Sequence, residues 1–362
     1  MKARLALVGL GTWAAQGHLP VYQGPRLASY LEVAGLCSRD LSRAKAWCQR
    51  FGVAKGYDDF AAMLAEIQPN LVAVTTPDHA HTEYVVMALE AGAHVLVEKP
   101  LALSWDDCQR IDQAAKSSQR QVLTLFHKRS DPLWAEARQR ILAGQYGHLQ
   151  MALASIQNPL AVPAGGYFSS ELAAQSSPNW FLGTHFYDLL RYMTGCDPVE
   201  VRAYGHRKVL PEHGVDTLDS VKADVLFQRP GQHEVASISL MLSWNLPDPS
   251  TSLTKQAMQL HFERGELELD GTRRGFAEFG VGQYRDVNPY FMRSTDQGLQ
   301  GYGASYLEDA IYSLLMDDYR PSVPLADLAD AWWATALASA VDQSLANGGR
   351  SVTVQRPGEV VG

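Results

Sequence analysis

Two small groups of residues have the side chains and spacing that proton chemistry requires. The first is Glu98-Lys99-Pro100, which directly follows the apolar run His94–Val97. In a doubly wound sheet, ligands bind beyond the carboxyl ends of the strands, so a lysine at this place can meet a reacting hydroxyl group. Burial lowers the pKa of a lysine towards the range that acid–base catalysis uses. A solvated surface lysine accounts for the same spacing equally well.

The second group is His185 with Asp188. These residues lie three apart in a helical pattern that ends at Gly195, and side chains at this spacing are neighbours on one helix face. A histidine there can move a proton while the carboxylate orients its ring. A purely structural His–Asp pair is the alternative, and the spacing does not decide between the two.

A glycine-rich turn near the start of the chain is typical of dinucleotide binding. The run Gly9–Ala14 has the sequence Gly-Leu-Gly-Thr-Trp-Ala and follows a short apolar segment. Gly9 permits a sharp turn, Gly11 lets the backbone approach a pyrophosphate, and the next helix offers N–H groups to the anion. Thr12 and Trp13 in the same turn are candidate cofactor contacts. An ordinary connection between a strand and a helix is the alternative for this motif alone.

The residues after the second apolar run bear on the choice of cofactor. An NAD-specific site usually has an acid at the end of the second strand, but this chain has Cys37-Ser38-Arg39-Asp40 there. Ser38 and Arg39 suit a 2′-phosphate, because a guanidinium matches phosphate geometry. The sequence therefore favours NADP(H). NAD(H) stays possible, since Asp40 can turn towards the ribose and Arg39 can stack on adenine instead.

A hydroxyl-rich segment follows the third apolar run. Thr75-Thr76-Pro77 suits a loop that lies along a cofactor. His79 and His81, just beyond it, are two residues apart and do not share a helix face, which argues against a zinc site. We therefore expect no metal.

Composition limits the classes of protein to which the chain can belong. Its 362 residues suffice for two domains and a large core. The net charge of −8 argues against nucleic acid or an anionic membrane as the main partner, and no apolar run approaches the roughly 20 residues that cross a bilayer. The four scattered cysteines indicate a reducing, cytoplasmic location. Lys2 and Arg4 resemble the start of a secretory signal, but glycines soon interrupt the apolar run.

The elements that must position these residues are of two kinds. Residues 1–127 alternate between short apolar runs and helical patterns, which predicts an α/β domain with a doubly wound parallel sheet of the Rossmann type. The strand-like runs are Leu5–Val8, Leu31–Cys37, Leu71–Thr75, His94–Val97 and Val122–Phe126, and the helical ones are Ser42–Phe51, Phe60–Ile67, His81–Ala91 and Ser104–Ser117.

Residues 128–362 predict a second domain of α+β type. The runs Val221–Phe227 and Ile238–Trp244 alternate with period two, which indicates a large, open, mostly antiparallel sheet with one exposed face. A long alanine-rich helix is predicted over Leu325–Asn347. Such a sheet exposes a broad apolar face unless it is paired, so we expect a homodimer or homotetramer.

One segment of the second domain lacks periodicity. Residues 157–180 are rich in proline, glycine and serine and contain Tyr167, Phe168 and Trp180. A structureless loop of this length in a compact domain is uncommon and often functional. A disordered insertion is the alternative.

Together these motifs resemble the Gfo/Idh/MocA oxidoreductases, the family of glucose–fructose oxidoreductase, inositol 2-dehydrogenase and their relatives. The similarity covers almost the whole chain, and its most specific part is the Glu-Lys-Pro tripeptide at the end of His94–Pro100. The other matching motifs are Val8–Gly11, His18–Pro20, Tyr57–Phe60, Thr76-Pro77 with His81, Ala88–Gly92, Arg129, and Gly183–His185 with Asp188.

The resemblance implies hydride transfer between a nicotinamide cofactor and a secondary alcohol or ketone of a sugar or cyclitol. Lys99 and His185 would be the catalytic residues, and the bond Lys99-Pro100 would be cis. The expected cofactor contacts are Gly9, Gly11, Thr12, Trp13, Ser38, Arg39, Thr75, Thr76, Pro77, His81, Glu98 and Lys99. The expected substrate contacts are Lys99, Arg129, Asn179, Trp180 and His185.

The chain departs from the family pattern at one position. Many relatives carry an aspartate four residues before the histidine, and here that position is Phe181. A phenyl ring cannot accept a hydrogen bond from a hydroxyl group. Three interpretations stay open: Asn179 or Asp188 takes part of the role, Lys99 and His185 suffice, or the chain is not catalytic.

The alternatives to a dehydrogenase come from the same family. One is a non-catalytic regulator that senses NAD(P). Another is an enzyme that uses bound cofactor internally for isomerisation or glycoside cleavage. Fold does not separate them, but the presence of both Lys99 and His185 favours an enzyme.

Overall fold

The computed structural model describes residues 2–166, 169–247, 251–280 and 283–358. Tyr167 and Phe168, two aromatic residues of the predicted loop, lie outside these ranges. The strands are β1 (Ala3–Val8), β2 (Leu31–Cys37), β3 (Gly56–Tyr57), β4 (Leu71–Val74), β5 (His94–Val97), β6 (Val122–Thr124), β7 (Leu149–Pro159), β8 (Asp197–His206), β9 (Ser220–Gln228), β10 (Val235–Leu246), β11 (Lys255–Phe262), β12 (Gly265–Asp270), β13 (Ala277–Gly280), β14 (Gln283–Asp286), β15 (Arg293–Thr295), β16 (Gly298–Gln300) and β17 (Val352–Thr353). The α-helices are α1 (Leu19–Tyr22), α2 (Leu41–Phe51), α3 (Phe60–Ile67), α4 (His81–Glu90), α5 (Trp105–Ser118), α6 (Pro132–Leu142), α7 (Ala161–Ala164), α8 (Ser170–Ala174), α9 (Thr184–Thr194), α10 (Val209–Glu212), α11 (Tyr302–Leu315) and α12 (Leu328–Ala346).

The first compact unit contains Met1–Asp131 and Tyr290–Trp332. Its sheet has the strand order β3-β2-β1-β4-β5-β6, and every pairing in it is parallel. The residues of β4 are fully buried, as expected for a parallel sheet covered on both faces. The prediction of a doubly wound parallel sheet is therefore confirmed.

Helix boundaries in this unit follow from local side-chain chemistry. Asp40 caps α2 and accepts hydrogen bonds from the N–H groups of Ser42 (2.9 Å) and Arg43 (3.2 Å). Gly52 ends the same helix in the left-handed conformation, with φ of 65°. Both devices satisfy backbone groups that a helix end leaves unpaired.

A later segment of the chain completes the first unit. Tyr306, Leu307 and Ile311 of α11 belong to the same buried core cluster as Leu5 and Leu7 of β1. The predicted boundary at residue 127/128 assigned this whole helix to the second domain. The sequence around α11 shows which residues are apolar but not which core they join, and the buried residues of α11 join the core cluster that contains β1.

The second compact unit contains Pro132–Pro289 and Trp333–Gly362. Its sheet has the order β12-β11-β7-β10-β9-β8-β17, in which β7 and β10 are parallel and the other pairs antiparallel. The predicted alternation is confirmed, because Val225 of β9 lies opposite Ile238 of β10 and both are fully buried. The mostly antiparallel sheet of the prediction is therefore confirmed.

The segment 157–180 is more ordered than the sequence suggested. It contains the end of β7, the short helices α7 and α8, and the start of a π-helical turn over Asn179–Gly183. Trp180 is 8% exposed. Among the helices of the described residues, none has the length and apolar character needed to cross a membrane.

Tyr306 of α11 supplies a test of the first unit. Its hydroxyl accepts from the N–H of Ala326 (3.0 Å) and donates to the carbonyl of Thr124 (3.3 Å) in a buried setting. We expect Tyr306→Phe to lower the free energy of unfolding by about 1–3 kcal/mol, because it leaves buried backbone groups unsatisfied. Chemical denaturation measures this change.

Tyr312→Phe is the matched control in the same helix. The Tyr312 hydroxyl donates to the carbonyl of Arg26 at an exposed position, where water replaces a lost partner. An equal loss of stability in the two variants would contradict the structural role given to Tyr306.

Candidate functional site

The glycine turn of the first unit has a backbone that only glycine allows. Gly9 has φ of +97°, and a Cβ atom there would lie 2.5 Å from the backbone of Thr75 and Thr76. Its N–H donates to the carbonyl of Cys37 (3.1 Å). The turn is thus wedged between the ends of β2 and β4, and a side chain at Gly9 would separate them.

The outer part of the turn is open. Gly11 and Thr12 are exposed, and a Cβ atom on Gly11 would meet nothing within 4 Å. The Thr75 hydroxyl donates to the carbonyls of Gly9 (2.6 Å) and Val8 (3.1 Å), so it holds the turn in place. An open backbone turn at the carboxyl end of a parallel sheet fits a dinucleotide.

The glycine turn leads into an unusual helix. The segment Ala14–His18 is π-helical, and the N–H of Leu19 donates to the carbonyl of Ala14, five residues earlier. The sequence predicted a helix start here but not its type. Single π turns occur often at functional sites.

Glu98, just after β5, receives two donors from this helix. Its Oε1 accepts from the indole Nε1 of Trp13 (2.9 Å) and from Nε2 of His18 (2.7 Å). Burial acts to raise the pKa of Glu98, but the hydrogen bond from His18 and the electrostatic interactions with His18, His127 and Lys99 outweigh it, and the pKa is lowered. The side chain is therefore held as a carboxylate.

Lys99 is buried beside this carboxylate, with 8% of its surface exposed. Its bond to Pro100 is cis, which confirms the expectation. Burial lowers the pKa of Lys99, while the charges of Asp78 and Glu98 oppose the shift. A lysine with a lowered pKa at the end of a strand suits acid–base chemistry.

His127 is a member of this group that the sequence analysis missed. Burial, then the charges of Lys128 and other nearby cations, lower its pKa to about 3 despite the opposing charge of Glu98, so its ring is neutral at physiological pH. Its place shortly after β6, at the same edge of the sheet as the Glu-Lys-Pro tripeptide, was the available signal.

His81 holds two loops together. One ring nitrogen lies 2.6 Å from the carbonyl oxygen of Pro100 and the other 2.9 Å from that of Thr76. The side chain is fully buried. His81 thus links the loops after β4 and β5, and its contact with a cofactor, expected from the resemblance, stays a prediction.

The residues after β2 divide into two roles. Asp40 is engaged as the cap of α2, and the Ser38 N–H donates to the carbonyl of Tyr57 (3.0 Å). Arg39 is exposed. The acid that could have turned towards a ribose is thus held by backbone N–H groups, whereas the guanidinium faces solvent.

Arg129 lies in a partly buried ion pair of the first unit. Its Nη1 donates to Oδ2 of Asp330 (3.0 Å) and to the carbonyl of Pro324 (3.3 Å). Arg129 is 2% exposed. These contacts hold Arg129 within the first unit. Its contact with substrate, expected from the resemblance, stays a prediction.

His185 lies in the second unit, in the first turn of α9. It is 8% exposed, and Asp188 of the same helix is 2% exposed. The π-helical turn Asn179–Gly183 directly precedes this helix. Lys99 and His185 thus belong to different units of the chain.

Asn179 and Trp180 bind one carboxylate of the second unit. The Asn179 amide donates to Oδ1 of Asp342 (2.8 Å) and to the carbonyl of Ala338 (2.9 Å), and it accepts from the Tyr187 hydroxyl (2.6 Å). The Trp180 indole donates to Oδ2 of Asp342 (2.7 Å). Burial raises the pKa of Asp342, and the two side-chain donors oppose this. Asn179 and Trp180 are therefore engaged within the unit, and no sequence motif indicated the role of Asp342.

Phe181 packs against an aromatic side chain of β10. Its ring lies 5.6 Å from that of Trp244, tilted by 54°. The position at which many relatives carry an acid is thus part of an aromatic pair. No cluster of three or more metal-binding side chains occurs among the described residues.

Comparison with known sequences identifies both parts of the chain. Residues 3–126 match the oxidoreductase family with an NAD-binding Rossmann fold, and residues 134–268 match the GFO/IDH/MocA C-terminal domain. D-glucoside 3-dehydrogenase of Escherichia coli is 30% identical over 207 residues, which are 57% of this chain and 58% of that protein. Inositol 2-dehydrogenase of Salmonella typhimurium is 28% identical over 215 residues, 58% of this chain and 59% of that protein. The chain thus spans a little over half the length of these relatives.

Solved structures extend the likeness of fold to nearly the full chain. Scyllo-inositol dehydrogenase from Lactobacillus casei, solved with NAD(H) and scyllo-inositol, has a TM-score of 0.76 at 17% identity, covering 98% of this chain and 99% of that one. The WlbA dehydrogenase from Bordetella pertussis, solved with NADH and UDP-GlcNAcA, has a TM-score of 0.78 at 18% identity, with coverage of 98% and 99%. The match to the Rossmann-fold model precedes the match to the C-terminal domain model along the chain. The chain belongs to the Gfo/Idh/MocA family of oxidoreductases.

Proposed function

We propose that this chain is an NAD(P)-dependent dehydrogenase or ketoreductase acting on a sugar or cyclitol. The observation that carries the proposal is buried Lys99 next to the partly buried carboxylate of Glu98 at the carboxyl end of β5, in the same unit as an open glycine turn. The names of the glucoside and inositol dehydrogenases to which the chain is similar support this substrate class. We expect the enzyme to act in the cytoplasm.

The turn Gly9–Trp13 and the segment Thr75–Pro77 would hold the cofactor. Gly11 leaves room for a pyrophosphate against the backbone, while Thr75 keeps the turn in shape. A bound nicotinamide would exchange a hydride with the carbon of the substrate. The protein must then move the accompanying proton of the hydroxyl group.

Lys99 and His185 are the residues to which we assign that proton. Oxidation of a secondary alcohol breaks a C–H and an O–H bond, so a base must lie within hydrogen-bond reach of the hydroxyl. Histidine titrates near neutrality without perturbation, which suits His185 as that base. The charged Lys99 would stabilise the developing alkoxide.

Because Phe181 cannot exchange a proton, fewer groups are available for the proton transfer here than in relatives that carry an aspartate at this position. Asn179 is an unsuitable substitute, since its amide is engaged by Asp342, Ala338 and Tyr187. Asp188, one helical turn after His185, is the acid we propose as its orienting partner.

For the cofactor, we propose a preference for NADP(H). The capping role of Asp40 supports it, because that carboxylate is engaged by Ser42 and Arg43. Exposed Arg39 is the group suited to a 2′-phosphate. Proteins similar in fold have been solved with NAD(H), so the preference needs a direct test.

We further propose that the second unit associates with another copy through its sheet. The open face of this sheet carries Met151, Leu153 and Met241, which are 56%, 57% and 49% exposed. Leu153 lies opposite Ser239 of β10, and Met241 lies opposite Ser155 of β7, so these side chains come from adjacent strands. Apolar side chains grouped on one face favour a protein partner.

Cofactor binding is tested by two substitutions in the first unit. Gly11→Asp should abolish binding of both cofactors, because it adds charge and bulk against the phosphates at a position with room for a side chain. Arg39→Ala should weaken NADPH binding roughly ten- to hundredfold and leave NADH binding nearly unchanged. Calorimetric titration measures both, with Arg50→Ala as the control for an exposed arginine of α2. Equal losses for the two cofactors in Arg39→Ala would refute the phosphate assignment.

Proton transfer is tested at His185. We expect His185→Ala to reduce turnover at least about a hundredfold while NADPH affinity is retained, because the base is lost and the cofactor turn is intact. His213→Ala, at an exposed histidine of the same unit, should turn over at the parental rate. A His185→Ala enzyme as fast as the parent would leave His185 a structural role only.

Self-association is tested by light scattering. The parent should have a mass of at least twice the chain mass of 39.8 kDa, and Leu153→Lys should shift it towards the monomer, because a charge would be buried in the apolar contact. Leu142→Lys, at a residue of α6 that is 44% exposed, is the control. A monomeric parent at micromolar concentration would contradict the proposal.

A further inference from the structure

Two side chains, one from the cofactor turn and one from the helix after it, form hydrogen bonds with the same atom. Trp13 Nε1 and His18 Nε2 lie 2.9 and 2.7 Å from the same oxygen, Oε1 of Glu98. Trp13 and His18 are five residues apart in the chain. In an α-helix, with about 3.6 residues per turn, side chains at that spacing do not share a face.

The π-helical turn removes this obstacle. Over Ala14–His18 the backbone bonds run from residue i to i+5, as in the bond from the Leu19 N–H to the Ala14 carbonyl. Residues five apart are therefore brought onto one side of the helix. The wide turn is the local geometry that lets both donors reach Glu98.

Gly17 leaves space for the indole ring. A Cβ atom at this position would lie 3.1 Å from Cε2 and Cζ2 of Trp13. The other side of the ring is stacked on Phe291, at 5.7 Å and an interplanar angle of 5°. Trp13 is thus fixed between the helix backbone and an aromatic side chain, with its N–H directed at Glu98.

His18 is fixed as firmly as Trp13. It is fully buried, and its Nδ1 lies 2.9 Å from the hydroxyl oxygen of Tyr22. Because a carboxylate only accepts, Nε2 of His18 donates to Glu98. The two ring nitrogens of His18 thus link Glu98 to the hydroxyl group of Tyr22.

We propose that Trp13 and His18 are positioning residues that hold the Glu98 carboxylate charged and fixed next to Lys99. Through Glu98 they connect the cofactor turn to the proposed catalytic lysine. The inference rests on the role proposed for Lys99. It adds that the helix after the glycine turn influences Lys99 through Glu98, a residue that does not itself exchange the proton.

The charge of Glu98 acts on Lys99 together with that of Asp78. Both carboxylates raise the pKa of Lys99 against the effect of burial. Around Glu98 itself lie the ionisable side chains of His18, His127 and Lys99, with Lys128 acting on His127. Loss of the fixed carboxylate should therefore lower the pKa of Lys99, because one of two opposing charges disappears.

The experiment measures the titration of Lys99 in the full chain. Trace labelling with acetic anhydride over a pH series, followed by peptide mass spectrometry, gives the midpoint at which the Lys99 amine becomes reactive, with exposed Lys45 as internal standard. We expect Glu98→Gln to lower the midpoint of Lys99 the most, by about one pH unit or more. Trp13→Phe keeps the ring and its stacking but removes the donor, and His18→Leu removes the second donor.

We expect Trp13→Phe and His18→Leu each to lower the midpoint by part of the Glu98→Gln shift, and His18→Gln, which retains an N–H donor, to restore it. A purely structural role would leave the midpoint in place, or change it equally in His18→Leu and His18→Gln, and would overturn the inference. NADPH-dependent turnover is measured in parallel. If the parent turns over substrate but the Lys99 midpoint does not move in Trp13→Phe and His18→Leu, the positioning role alone is refuted. If the midpoint moves but the parent turns over no sugar or cyclitol, the proposed function alone is refuted.

Discussion

The carboxylate of Glu98, only 15% exposed, is the constraint on which the cofactor turn of the first unit depends. A charge removed from water costs several kcal/mol unless it is paired and hydrogen-bonded, and here the partners are Trp13 and His18. Those partners belong to the segment that follows the glycine turn, whereas Glu98 follows β5. Satisfying one charge therefore fixes the position of the turn relative to the strand end that carries Lys99. His81 adds a second tie, between the loops after β4 and β5.

The second unit has a similar contact next to α9, the helix that carries His185. An indole N–H, that of Trp180, donates to the carboxylate of Asp342 at 2.7 Å, and a π-helical turn again begins beside the tryptophan. In each unit a candidate catalytic residue follows directly: Lys99 after Glu98, and His185 after the π turn. In both units a partly buried carboxylate is hydrogen-bonded to residues distant in sequence, at a short irregular helical segment.

Much of the fold was predictable because its signals are local. Short apolar runs and helical periodicity predicted the parallel sheet, and period-two alternation predicted the buried face of β9 and β10. The cis bond at Lys99 followed from the family resemblance. The assignment of α11 to the first unit was not predictable, since an amphipathic pattern shows that a helix packs but not against which core. The order within 157–180 was missed because short helices and a π turn leave no periodicity.

The sequence motifs predicted which residues form the candidate site, but not the hydrogen-bond partners that these residues have in the fold. Arg129 and Asn179 were expected to contact substrate, yet Asp330 and Asp342 bind them. These partners lie more than a hundred residues away in the sequence. No local sequence pattern near Arg129 or Asn179 indicates them. His127 was missed for a related reason, because its lowered pKa comes from burial and neighbouring charges that only the folded chain brings together. The most direct test of the account is the change in NAD(P)H absorbance when the purified parent and Lys99→Ala meet a panel of sugars, cyclitols and their keto forms. The account predicts cofactor-dependent turnover of at least one compound by the parent and a loss of that turnover in Lys99→Ala; equal turnover by the two proteins would contradict it.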